Sequence, residues 1–229
     1  MSFKQFTKEI MGKGRRVEGE LVKTILYSLL VSFGLFAILY FMKFRYIPDF
    51  IPKYGFFIFL IILSYAVVLP SIKQVRAYGN FVCMSGMMIG MTTGMIAGFL
   101  PGFFIGATNG MFWGGVFGMG VGIFMGVWNG KCCGIMGIME GLMAGFMGGL
   151  MGAMTAVMMI NDNLRIAGVI VFGISAVILF SLNYMIYFEM KESRKESRGD
   201  YFTIAFMSFI LSAITIWFMV YGPRSILFG

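Results

Sequence analysis

The sequence predicts an all-α membrane protein, a polytopic bundle of about seven transmembrane helices with a three-helix core of glycine repeats. Three observations carry this prediction. Hydrophobic residues make up 59% of the 229 residues and charged residues only 12%, about half the charged share of soluble domains. Long runs contain no charged residue, and glycine recurs at every fourth position through the middle of the chain. The protein is therefore predicted to lie in a lipid bilayer.

Four charge-free runs are each long enough for one membrane-spanning helix, which needs roughly 20 apolar residues. They cover residues 24–42, 54–72, 166–188 and 201–223. None shows the alternation of apolar and polar residues that is typical of a half-buried strand. Each run therefore predicts one helix, and the four flank a longer apolar region.

The longer region, residues 77–160, is too long for two helices and is predicted to contain three. Asn109-Gly110 and Asn129-Gly130 are turn-forming pairs, because both residue types tolerate a positive φ. Pro101 predicts a kink in the first of these helices. The three helices are expected at 81–106, 111–128 and 132–160, which brings the total to seven spans.

The distribution of Lys and Arg predicts that the N-terminus is cytoplasmic and the C-terminus is outside. With that orientation, 13 of the 18 basic residues lie on the cytoplasmic side, including Lys73 and Arg76 in a short loop. The net charge of +8 thus follows from membrane topology and does not indicate nucleic-acid binding. We expect an integral protein of the plasma membrane with the lipid bilayer as its first partner.

The single membrane domain 1–229 is divided into a cytosolic or interfacial segment 1–20, two scaffold helices in 21–76, the core 77–160, and two scaffold helices in 161–229.

The absence of His excludes several classes of enzyme and metal site. His-ligated haem, Ser-His-Asp hydrolysis and the HExxH zinc site all need this residue. The sequence shows no other catalytic constellation, so no enzymatic activity is expected. The three Cys residues cannot form an even set of disulfides.

Glycine recurs every four residues from Gly86 to Gly134 and again from Gly137 to Gly149. Small residues four apart let helix backbones approach closely, which favours tight right-handed crossings in a membrane. The glycines could pack these three helices against each other, or could also form a homo-oligomer or contact partner subunits. The predicted packing positions are Gly86, Gly90, Gly94, Gly98, Gly114, Gly118, Gly122, Gly126, Gly137, Gly141, Gly145 and Gly149.

A helical projection of the third core helix separates its glycines from its soft and ionisable side chains. Glu140 is the only acidic residue inside a predicted span. A carboxylate in a membrane usually marks an ion or proton route, although it could instead pair with Lys131. Thioethers and thiolates are ligands for Cu(I) and related soft ions, but Met and Cys also serve as ordinary packing residues. The candidate ligands are Cys83, Cys132, Cys133, Met136, Met139, Met143 and Met147.

The vicinal pair Cys132-Cys133 lies at a membrane boundary beside a glycine. In this feature the chain resembles bacterial mercury-uptake membrane proteins, a resemblance confined to one helical turn. The leading functional hypothesis is a non-enzymatic scaffold or accessory subunit that packs tightly within itself and against partner membrane subunits. The alternative is a transporter or channel for a soft metal ion of the copper or mercury type. A proton or cation pathway through Glu140 without metal is a third hypothesis.

Overall fold

The computed structural model describes residues 21–42, 54–78, 81, 83–189 and 201–223. All regular structure in these residues is helical, which confirms the predicted all-α class. The predicted interfacial segment 1–20 lies outside the described residues, as do most of the loops that indicated the orientation. The α-helices are α1 (Leu21–Met42), α2 (Phe56–Tyr78), α3 (Cys83–Asn109), α4 (Met111–Gly130), α5 (Gly134–Met158), α6 (Leu164–Glu189) and α7 (Tyr201–Tyr221).

Six helical segments in the described residues are long and apolar enough to cross a membrane, so the predicted count of seven is corrected to six. The difference lies in Met111–Met158, a continuous apolar segment of 48 residues. A 3₁₀ turn, Lys131–Cys133, joins α4 to α5 without any non-helical residue between them. The described chain is nevertheless compatible with an integral membrane protein.

Of the two predicted breaks between the core helices, one forms at the predicted residues and the other forms later in the chain. The break predicted at Asn109-Gly110 is confirmed, because Gly110 has a φ of 105° between α3 and α4. The break predicted at Asn129-Gly130 is wrong by four residues. Gly130 remains helical, with a φ of −69°, and Gly134 takes the positive φ of 69° instead. Pro101 lies inside α3, which continues to Asn109.

The backbones of α3, α4 and α5 meet in levels that each contain three small residues. A methyl carbon placed on Gly94 would lie 2.9 Å from the carbonyl oxygen of Gly141 and 3.0 Å from the Cα of Gly126. Residue numbers rise together along α3 and α5 and fall along α4, so α4 runs antiparallel to both. Successive levels are four residues apart, or about 6 Å along a helix. The five levels are Gly90/Gly130/Gly137, Gly94/Gly126/Gly141, Gly98/Gly122/Gly145, Gly102/Gly118/Gly149 and Gly106/Gly114/Ala153.

Helix α2 is the most buried of the four flanking helices and packs against α1, α3, α6 and α7. Its buried side chains are mainly Ile, Leu, Val and aromatic residues. Helix α6 approaches α3 at Gly168, where an added methyl would lie 3.6 Å from the ring of Phe103 and 3.7 Å from that of Phe104. Helix α2 and the contact between α3 and α6 thus use large side chains, in contrast to the glycine levels of the core.

Side chains with hydroxyl groups join α1 to α7 and α7 to α2. The Ser208 hydroxyl lies 3.1 Å from that of Ser28 and 2.8 Å from that of Ser32, and all three side chains are buried. The hydroxyls of Tyr65 and Thr215 are 2.9 Å apart. These contacts form a hydroxyl seam of Ser28, Ser32, Ser208, Tyr65 and Thr215. The seam was not predicted from the sequence, although Thr24, Ser28 and Ser32 repeat every four residues on α1.

Lys73 does not lie in a loop as the sequence analysis assumed. Helix α2 continues to Tyr78, and the Lys73 side chain is buried with its Nζ donating to the Thr24 hydroxyl at 3.4 Å. The helix continues because Val75 and Tyr78 extend its buried apolar side beyond residue 72. Basic residues near a span therefore do not by themselves locate its end.

Candidate functional site

The side of α5 opposite its glycines forms an exposed methionine face. Gly137, Gly141, Gly145 and Gly149 are buried against α3 and α4, whereas the methionines point away from these helices. Their exposed fractions range from 45% to 67%. The methionine face consists of Met136, Met139, Met143, Met147, Met151, Met154 and Met158.

Glu140 lies beside this face and is half-buried. It is six residues into α5, about 9 Å along the helix axis. In the part of the chain that the structure describes, Glu140 makes no hydrogen bond or ion pair, so it is not paired with Lys131. A carboxylate in the hydrocarbon region costs free energy unless a partner or water satisfies it. Glu140 is therefore the side chain of α5 whose exposure to lipid would cost the most free energy.

A second set of exposed methionines lies on α3, which runs parallel to α5. Gly148 of α5 packs directly against the backbone carbonyl of Met95, which brings the two helices together on this side. The methionines considered from the sequence were those of the third core helix, so this second set was not predicted. They are Met84, Met88, Met91 and Met95, and all four are exposed.

The thiols of Cys132 and Cys133 lie 3.9 Å apart at the end of the bundle where α4 ends and α3 and α5 begin, which we name the inner end. The Cys132 thiol donates to the backbone oxygen of Asn129 at 3.1 Å. Both thiols pack over Gly86, where a methyl carbon would lie 3.2 Å from the Cys132 Sγ. The glycine at position 86 therefore provides the space that the pair occupies.

Cys83 is at the first residue of α3, three residues before Gly86, and is exposed. Within the described ranges, no three Cys, Asp or Glu side chains gather closely enough to hold a metal ion. The structure thus brings together Cys132 and Cys133 but does not add Cys83 to form a three-ligand group. Met136 follows one helical turn after the pair and is the nearest residue of the methionine face along the chain.

Asn129 is a polar residue of the core that the sequence analysis treated only as a turn former. Its side chain is 1% exposed, and neither its amide nitrogen nor its amide oxygen has a hydrogen-bond partner among the described residues. On α2, the Gln74 Nε2 donates to the backbone oxygen of Asn183 at 3.3 Å. Asn129 is a polar residue within an apolar run of the sequence, so this buried amide could have been identified from the sequence alone.

The inner end also contains a contact between α3 and α6. The Ser85 hydroxyl donates to the Glu189 carboxylate at 2.5 Å, so this acidic residue is satisfied where Glu140 is not. The positions of the thiol pair and of the methionine face both depend on the glycine levels, because α3, α4 and α5 are held by backbone contacts.

Comparison of the chain with models of known families, with curated proteins and with solved structures finds no match.

Proposed function

We propose that this protein is a non-enzymatic integral membrane subunit, a scaffold or accessory protein that binds a transmembrane helix of a partner subunit on the methionine face of α5. The observation that carries the proposal is Glu140, a half-buried carboxylate without an ion pair among the described residues. Such residues in membranes are expensive and usually functional. A partner helix would cover the carboxylate and remove it from lipid.

The glycine levels support this choice of surface. A methyl carbon at Gly98 would lie 2.9 Å from the carbonyl oxygen of Gly145 and 3.1 Å from that of Gly118, so these glycines already contact the backbone of the same chain. We infer that the glycine repeat acts as a zipper within this chain. Because the glycines are already in contact within the chain, the partner would contact the methionines, whose flexible side chains adapt to irregular surfaces.

The chemistry of Glu140 indicates what the partner helix carries. A Lys or Arg at the same depth would form an ion pair with the carboxylate, which is strongly favoured over an unpaired charge. A two-fold dimer of this chain centred on Glu140 would instead bring two carboxylates together, and like charges repel. We therefore favour a different subunit with a basic residue in its membrane helix over a homo-oligomer.

Replacement of Glu140 tests the proposal. Glu140→Lys should reduce the fraction of protein that carries the partner by at least about tenfold, because it would place two cations in contact. The measurement is native mass spectrometry of the full chain, gently extracted from its own membrane. Wild-type protein is expected in a complex of fixed composition.

Ile170→Lys provides the matched control, because Ile170 is an exposed apolar residue on α6. This variant also adds a lysine to a lipid-facing helix surface, and it should retain the partner. The proposal fails if Glu140→Lys retains the partner as wild type does, or if the wild-type protein is extracted without any partner.

We infer that the N-terminus is cytoplasmic, so that α1 crosses the plasma membrane outward and α2 returns to the cytoplasmic side. The excess of Lys and Arg in the segments expected inside supports this orientation. The inner end, which contains the thiol pair and Lys131, would then be the cytoplasmic end. Thiols there would remain reduced.

A second candidate function is supported by the thiol pair, whose sulfur atoms are 3.9 Å apart. In this hypothesis the protein transports a soft metal ion such as Cu(I) or Hg(II). Two thiolates would bind the ion, since soft metals prefer sulfur ligands. Cys83, Met136, Met139, Met143 and Met147 would extend the path, with Glu140 as the charge partner.

Metal loading under reducing conditions distinguishes the two functions. If the second candidate is correct, wild-type protein loaded with Cu(I) should retain about one ion per chain, and Cys132→Ala/Cys133→Ala should retain less than about a tenth of that, because the dithiol provides the binding atoms. Elemental analysis measures the retained copper. Met111→Leu is the control, since Met111 is exposed but lies at the opposite end of α4. Equal copper in the wild type and the double variant would exclude the thiol site.

A further inference from the structure

The inner ends of α2 and α4 meet through a cation and an aromatic ring. The Arg76 guanidinium carbon lies 5.7 Å from the centroid of the Trp128 ring. Trp128 in turn contacts Phe124 edge-on, with a distance of 5.3 Å between the ring centroids. Arg76 and Phe124 are exposed, so the group forms part of the outer surface of the bundle.

A second cation lies close to the same ring along the chain. Lys131 follows Trp128 by three residues, which places the two side chains on neighbouring positions of one helical turn. Lys131 is exposed. Neither Arg76 nor Lys131 forms an ion pair within the ranges that the structure describes. The group therefore carries two positive charges that no described carboxylate neutralises.

The position of the group along the helices matches the boundary of a bilayer. Helix α2 ends at Tyr78 and α4 ends at Gly130, so Arg76, Trp128 and Lys131 all lie within a turn of a helix end. Trp, Arg and Lys are favoured where hydrocarbon meets the polar headgroups. Phe124 lies one turn further from the end of α4, on the side where acyl chains would follow the polar headgroups.

We propose that Arg76, Trp128 and Lys131 form a binding site for the headgroup phosphate of an anionic phospholipid. The two cations bind the phosphate, and the stacking of Arg76 on Trp128 holds the guanidinium in place. The exposed ring of Phe124 contacts an acyl chain of the same lipid. Charge complementarity selects this occupant, because a zwitterionic headgroup offers no net charge to two unneutralised cations. The site lies on α2, α4 and the 3₁₀ turn and contains no residue of the methionine face, so the two proposals can fail separately.

Lipid binding to the full chain can be measured by native mass spectrometry from bilayers that contain equal amounts of phosphatidylglycerol and phosphatidylcholine. Wild-type protein should retain phosphatidylglycerol preferentially. Arg76→Gln and Lys131→Gln should each weaken this retention about fivefold, and the double variant roughly 25-fold, as expected for the loss of one or two cations near a membrane surface. Arg76→Lys keeps the charge and should retain most of the binding.

Arg165→Gln is the matched control, because it removes a positive charge at the opposite end of the bundle, near the start of α6. It should leave the retention of phosphatidylglycerol unchanged. Thermal unfolding of each variant in the same lipids establishes that the fold is intact. The proposal is overturned if wild-type protein retains both lipids equally, or if the folded double variant retains phosphatidylglycerol as wild type does.

Discussion

Gly122→Ala is expected to lower the free energy of unfolding by about 3 kcal/mol, at the upper end of typical overpacking costs. The added methyl carbon would lie 2.8 Å from the Cα of Gly98 and 2.9 Å from the Cα of Gly145. Both neighbours are backbone atoms, so no side chain can rotate away. The helices α3 and α5 would have to move apart, and the adjacent levels would lose their contacts. Titration with denaturing detergent, followed by circular dichroism of the full chain, measures the change.

Gly120→Ala is a stringent control, because Gly120 is on the same helix two residues earlier. A methyl carbon there meets nothing within 4 Å. The substitution should be neutral or slightly stabilising, since Ala has the higher helix propensity. If both variants lose the same stability, the effect belongs to the α4 helix itself, and the close approach of the three backbones is not what stabilises the core.

Ser208→Ile is expected to separate α1 from α7, with a loss of about 2 kcal/mol in unfolding free energy. Ser208 is fully buried between Ser28 and Ser32, and its hydroxyl also donates to the backbone oxygen of Ser28 at 3.3 Å. A branched apolar side chain would be too large for this space and would offer no hydrogen bond. Hydrogen–deuterium exchange should therefore increase in peptides from α1.

Ser181→Ile is the control for this substitution. Ser181 is an exposed helical serine whose hydroxyl donates to the backbone oxygen of Val177 at 3.0 Å. The same change there should leave exchange in α1 unchanged, because the side chain contacts no second helix through this hydrogen bond. Slow exchange in α1 of the Ser208 variant would show that the hydroxyl seam does not hold α1 in place.

The helices and the opposed faces of α5 follow from patterns that can be read along the chain. Charge-free runs of sufficient length predict where helices occur, and a projection of α5 separates Gly141 and Gly145 from Met143 and Met147. The end of α2 could not be predicted in this way. A lysine at position 73 is typical of a loop, whereas in the structure it is buried and its Nζ donates to the Thr24 hydroxyl of α1, a contact between distant parts of the chain.

The second core turn shows why local signals are insufficient in a glycine-rich sequence. Asn129-Gly130 is a good turn sequence, but Gly130 is used for close contact with Gly137 and remains helical. Gly134 has no neighbour within 4 Å of an added methyl and is free to adopt the positive φ. Both positions are glycine, so only packing distinguishes them.

The sequence by itself determined the all-helical class, the apolar segments and the four-residue glycine period, because these depend on hydrophobicity and on spacing along one helix. The tertiary structure decided which helices share each glycine level, which serines meet across α1 and α7, and that the Cys132 and Cys133 thiols occupy the space above Gly86. These are contacts between distant parts of the chain. Their physical basis is the fit of one helix surface against another, and the spacing of residues within a single helix does not contain that information.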